Sequence, residues 1–140
     1  MHEKALEVVV MLRALEMAYI HTHHHVQGSS FFGDHGAAGG FYEAVGADAD
    51  AASERFIGLF GCEGLAPTYW AKAAEAVKEL SLEDNRAMFM SCLLMEKTLI
   101  EITEELCAQL PREADKQLYS GIGDKAVART YQLKQRCKEA

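Results

Sequence analysis

A chain of 140 residues with 49% hydrophobic and 25% charged residues is expected to form one globular domain, long enough to bury a core. It has two prolines, no apolar run near the ~20 residues that a membrane crossing needs, and no signal-peptide layout in its first residues. A secreted mini-scaffold, a membrane protein and a disordered tail are therefore excluded, the expected compartment is the cytoplasm, and a net charge of −7 argues against a whole-surface clamp on nucleic acid.

The first expected helix runs from about His2 to Val26, with Leu6, Val9, Val10, Leu12, Leu15, Met17, Tyr19 and Ile20 at near-helical spacing. Gly28 reads as its stop. The following stretch holds five glycines between Gly33 and Gly46, which by propensity alone is a loop. It also carries Phe31, Phe32, Phe41, Tyr42, Val45, Phe56, Leu59 and Phe60 among alanines and no proline, and we read it as a helix from Phe31 to Phe60. On that reading the glycines at 33, 36, 39 and 40 are packing contacts.

GCEGLA reads as a turn, and Pro67 opens a short helix to about Leu80. Ser81 and Asp84 form a capping-box pattern before a strong helix that Pro111 ends. The last helix spans about Glu113 to Lys138, with Leu118, Tyr119, Ile122, Val127, Tyr131 and Leu133 expected inward and Gly121 and Gly123 weakening its middle. Four long helices with a short one between the second and third pack as an all-α bundle.

The cysteines (Cys62, Cys92, Cys107, Cys137) make no C-x-x-C pair and read as free thiols, Cys92 and Cys107 in the core. From Lys125 to Ala140 five bases (Lys125, Arg129, Lys134, Arg136, Lys138) face one acid, Glu139, which a helix C-terminus favours without any ligand.

The polar residues that stand out are His21, His23, His24, His25, His35, Asp48, Asp50 and Glu54. Imidazole with carboxylate suits iron, manganese or zinc rather than a thiolate-seeking metal. No E-x-x-H occurs, which argues against an iron site inside the four-helix core. Asp48 reads as part of a solvated face. On a continuous second helix His35 and Asp50 lie about 22 Å apart along the axis and cannot share a metal within one chain. Asp50 and Glu54, four residues apart, can. If two copies pair antiparallel about a two-fold axis, residue 35 of one falls near residue 50 of the other, and His23 at the end of the first helix can join His35.

These residues resemble the Dps family, the miniferritins. His23, Gly28, Phe31, Phe32, His35, Asp50, Glu54 and Arg55 match the family signature in type and spacing with no gap. The short third helix and the stretch from Asp115 to Lys125 also look like the family's. The resemblance implies a ferritin-like four-helix bundle over residues 1–140, and a dodecameric cage built from two-fold dimers. That cage would bind Fe(II) at intersubunit sites, oxidise it with hydrogen peroxide or oxygen and store ferric mineral. By position His23, His35, Asp50 and Glu54 match its ferroxidase ligands, with iron as the expected metal and zinc an alternative. Where the family carries Trp after the first His and Asp four after the second, this chain has His24 and Gly39. His24 or His25 are then candidate additional ligands. The family's Lys-rich N-terminal arm has no counterpart here, so DNA binding is not expected. A DNA-coating or purely structural shell is the alternative reading, and no membrane partner is expected.

Overall fold

The computed structural model describes residues 1–138; Glu139 and Ala140, which the expected domain and the basic C-terminal stretch include, lie outside the described residues. Five α-helices follow one another: α1 (His2–His25), α2 (Phe31–Phe60), α3 (Tyr69–Val77), α4 (Asn85–Gln109) and α5 (Glu113–Cys137), with a 3-10 turn at Cys62–Gly64. Among the described residues there is no strand, and no helix is long and apolar enough to cross a membrane.

The helices pair as two hairpins, α1 with α2 and α4 with α5, joined face to face chiefly through α1 and α4. The crossover from α2 to α4 carries α3, which lies against α1. This is the ferritin-like arrangement of four long helices with one long connection. Val8, Val9, Leu12, Leu15 and Tyr19 of α1 meet Val45, Ala49 and Phe56 of α2, Phe89, Cys92, Leu99 and Leu106 of α4, and Tyr119, Ile122 and Leu133 of α5.

The glycine-rich α2 is helical for its full 30 residues because packing outweighs propensity. Ala38, Val45, Ala49, Ala52 and Phe56 bury one stripe in the core. Packing against other helices of the same chain explains only some of its glycines. A Cβ at Gly39 would lie 3.1 Å from the His23 ring, and one at Gly46 would meet the Glu16 carboxylate, so α1 and α2 approach closely at both points. Gly33, Gly36 and Gly40 face open space, which corrects the packing reading for these three within the chain. In α5, a Cβ at Gly123 would lie 2.8 Å from Thr103 Oγ1; that glycine lets α5 approach α4 rather than weakening the helix.

Other expectations are corrected. Asp84, not Ser81, caps α4: its side chain accepts from the Ala87 N–H at 2.7 Å, while Ser81 Oγ accepts from Glu83 N–H. The helix after Pro67 is shorter than expected, ending at Val77. Val127 and Tyr131 are 51% and 66% exposed, outside the core stripe of α5. Cys107 is half-buried rather than core, whereas Cys92 is fully buried and burial pushes its thiol up to about 12.

Charged residues inside the bundle are paired. Glu96 of α4, fully buried, binds Arg129 of α5 through two guanidinium N–H groups and accepts from the Tyr19 hydroxyl of α1 at 2.6 Å. Burial and the Glu96 charge push the Tyr19 hydroxyl well above its ordinary range. Asp48 is buried and paired with Lys125 at 2.9 Å, which corrects its reading as solvated. In the sequence the Glu96–Arg129 pair is marked only by a lone charge within the apolar period of each helix.

Candidate metal centre

The last turn of α1 carries His23, His24 and His25, with His21 one turn before His25, and the first turns of α2 carry His35. The corner between them is short and pinned. Gln27 donates its backbone N–H to Asn85 Oδ1 at 3.1 Å and accepts from Asn85 Nδ2 at 2.8 Å. Gly28 adopts φ +87°, the left-handed turn that an L side chain resists. Asp34 is gripped by Arg136 through two hydrogen bonds of 2.8 Å and also accepts from Ser30 and Asn85. Burial pushes the Asp34 carboxyl up, but these bonds outweigh it and hold it below the ordinary carboxylate range. Side chains of α4 and α5 thereby fix where α2 begins relative to α1.

That placement lays His23 on His35, ring centroids 3.7 Å apart and planes within 20°. Each ring bonds the other residue's backbone: His23 Nδ1 reaches the His35 carbonyl and His35 Nδ1 the His23 carbonyl, both at 2.8 Å. A carbonyl only accepts, so both Nδ1 atoms carry the proton and both Nε2 atoms keep a lone pair. This is the way a metal-binding histidine is oriented and its tautomer chosen. Phe31 stacks on the outer side of His35 at 4.8 Å, and Tyr42 sets its edge against His23 at 5.4 Å. Gly39 lies under the His23 ring, where any side chain would crowd it.

Asp50 and Glu54 are both exposed on α2. They sit about four to five turns along the helix from His35, and no three candidate ligands converge within the described part of one chain. Arg55, beside Glu54, is turned the other way and pairs with buried Asp115 at 2.6 Å. His24 is exposed and tilted against His23 at 5.6 Å, whereas His25 stacks on His21. Burial, then the nearby His25 and His24, lower the His21 pKa. The described part of one chain thus brings His23 and His35 together and leaves the two carboxylates apart from them. Sequence reasoning had not foreseen the mutual carbonyl bonds, or the roles of Tyr42, Asn85 and Arg136 in holding the pair. Their signals are ordinary aromatic and polar residues that only the fold makes specific.

Comparison with solved structures places this architecture. A Mycobacterium smegmatis Dps1 point mutant superposes with TM-score 0.81 at 18% identity, over 98% of this chain and 94% of that one. A Listeria innocua Dps point mutant gives TM-score 0.83 at 14% identity, over 99% and 96%. The chain has the Dps fold. A C-terminal deletion mutant of Mycobacterium smegmatis Dps agrees, with TM-score 0.79 at 17% identity over 98% and 96%. No family model matches the chain and no curated protein matches it in sequence. Within the Dps fold the ends of α1 and α2 meet at one corner of the bundle, and that corner is where this chain places the histidine pair.

Proposed function

We propose that this chain is a miniferritin that binds and oxidises Fe(II) at sites shared between two copies, with hydrogen peroxide or oxygen as oxidant, and stores the ferric product within a dodecameric cage. The observation that carries the reading is the His23–His35 pair. Two preset Nε2 donors are offered together, while the hard oxygen donors that would stabilise Fe(III) lie too far along the same helix to reach them.

A second copy set antiparallel against α2 would bring Asp50 and Glu54 to the histidines, and by symmetry make two equal sites. The free face of α2 suits such a contact. Gly33, Gly36 and Gly40 leave open space along it, Phe32 is 89% exposed at its start, and Ile57 is exposed near its end. Iron is the substrate here. With peroxide, the O–O bond breaks as it takes one electron from each of two Fe(II) ions and two protons, leaving two Fe(III) and two waters. The chain supplies imidazole donors, anionic oxygens and the positions of both. Zinc fits the same donors and would compete.

A DNA-coating shell finds less support. Of the five bases in the C-terminal stretch, Lys125 pairs with Asp48, Arg129 with Glu96 and Arg136 with Asp34, so three are engaged within the bundle.

The test mixes two variants, His23→Ala/His35→Ala and Asp50→Ala/Glu54→Ala, each of which should be nearly inactive alone. Refolded together in equal amounts, half of the dimers are mixed, and each mixed dimer holds one site with all four ligands intact. About a quarter of all sites should then oxidise iron. No recovery in verified mixed assemblies would overturn the shared site.

A further inference from the structure

We propose that His21 and His25 form a second metal site, separate from the His23–His35 pair, that takes a borderline divalent cation such as Zn(II). The helix itself separates the two pairs. At about 100° per residue, His21 and His25 share one face of α1, while His23 lies roughly 200° around from His21. His23 turns onto α2; His21 turns into a cleft lined by Met17 and by Val77, Lys78, Leu80 and Leu82 at the end of α3.

Two histidines one turn apart on one helix face are the spacing by which a helix chelates zinc. Here the rings already stack, centroids 4.0 Å apart and planes within 29°. His25 Nδ1 donates to the His21 carbonyl at 2.8 Å, so His25 Nε2 keeps its lone pair. His21 Nε2 is buried and has no hydrogen-bond partner among the described residues. A cation bridging the pair would satisfy that atom, and a small shift of the exposed His25 ring would open the way to it.

The surroundings tolerate a positive ion. His25 is the last residue of α1 and His21 lies one turn before it, so the pair faces the negative end of the helix dipole. Lys78 in the cleft has its charge taken up by Glu75. The donors are two neutral imidazoles without carboxylate or thiolate. Such a set suits Zn(II), Ni(II) or Cu(II) and holds no hard oxygen for Fe(III). The inference does not rest on the iron reading, because neither histidine belongs to the pair proposed to hold iron.

The probe is Zn(II) alone, titrated by calorimetry into metal-free protein whose assembly is checked by light scattering. In a His23→Ala/His35→Ala background about one Zn(II) per chain should still bind, as the two-histidine chelate requires. Adding His25→Ala or His21→Gln should abolish it; adding His24→Ala should not. Zinc binding that survives both changes, or that is already absent in the background, would overturn the site. Should the background variant fail to fold, His21→Gln and His25→Ala in the otherwise unchanged chain carry the test. Each must then bind one Zn(II) fewer per chain than the parent, and an unchanged stoichiometry refutes the proposal.

Discussion

Gly39 shows how much a single position sets at the candidate centre. A Cβ at position 39 would lie 3.1 Å from the His23 ring, so a branched side chain there would press on the flat stack with His35. Gly39→Val should tilt His23 and break its bond to the His35 carbonyl, weakening Fe(II) binding by about 10- to 100-fold, the usual cost of losing an orienting contact. Fe(II) titration of the metal-free variant measures this, and unaltered affinity would free the pair from Gly39. The carboxylates are a different case. Asp50 and Glu54 are exposed, so Asp50→Ala/Glu54→Ala should remove rapid iron oxidation yet leave thermal stability within about 0.5 kcal/mol of the parent. The ferric absorbance after peroxide addition reads the first, and a melting curve the second. At the buried extreme, Glu96→Ala would leave the Arg129 guanidinium unpaired in the core, and a loss of about 3–5 kcal/mol is expected in urea unfolding.

Between elements, the corner joining α1 to α2 is held by side chains from α4 and α5 as well as by its own Gly28 and Ser30. Arg136 on Asp34 ties α5 to the start of α2, and Asn85 ties α4 to the connection. The Asp34 carboxyl is held below its ordinary range, so its contribution to stability is present above the unfolded value of about 4 and is lost as pH falls through the lower folded value. Asp34→Asn should therefore destabilise the chain at neutral pH by about 1–3 kcal/mol, with the gap to the parent closing in acid below about pH 4. Denaturant midpoints across pH measure this; a gap that stays constant into acid would remove the Arg136–Asp34 pair from the account. The same corner positions both histidines, so a loosened Asp34 should also slow iron uptake before the fold is lost.

For the whole molecule the bundle leaves apolar surface on several sides. Phe32, Trp70, Leu82, Leu94, Val127 and Tyr131 all stand exposed on the protomer, with the Arg13 guanidinium over Trp70 at 4.7 Å. Such surface suits contacts between copies, and the shared centre proposed above needs a mate. Light scattering should give a large assembly; a 15.5 kDa species under native conditions would sink the cage. At a formal −7 per chain with much of its basic stretch paired inside, that assembly should not retard plasmid at physiological salt. Micromolar retardation would revive the DNA-coating alternative.

Much of the fold was legible because helix signals are local. Apolar period, Gly28, Pro67 and Pro111 located every long helix to within a few residues, and α2 from Phe31 to Phe60 to the residue. The spacing of His23, His35, Asp50 and Glu54 was equally legible, since a helix converts residue number into distance. What depended on contacts between distant segments was not. Asp48 reads as a surface acid until Lys125, from α5, is brought beside it, and Val127 and Tyr131 fit the inward period until the neighbours of α5 decide which face is covered. Helix period alone sets His21 and His25 on one face of α1 and His23 on another, but not what either face meets. Only the packing of α2 on one side and α3 on the other sends His23 to His35 and turns His21 and His25 to each other, because a ring's direction is settled by the surfaces it must lie against.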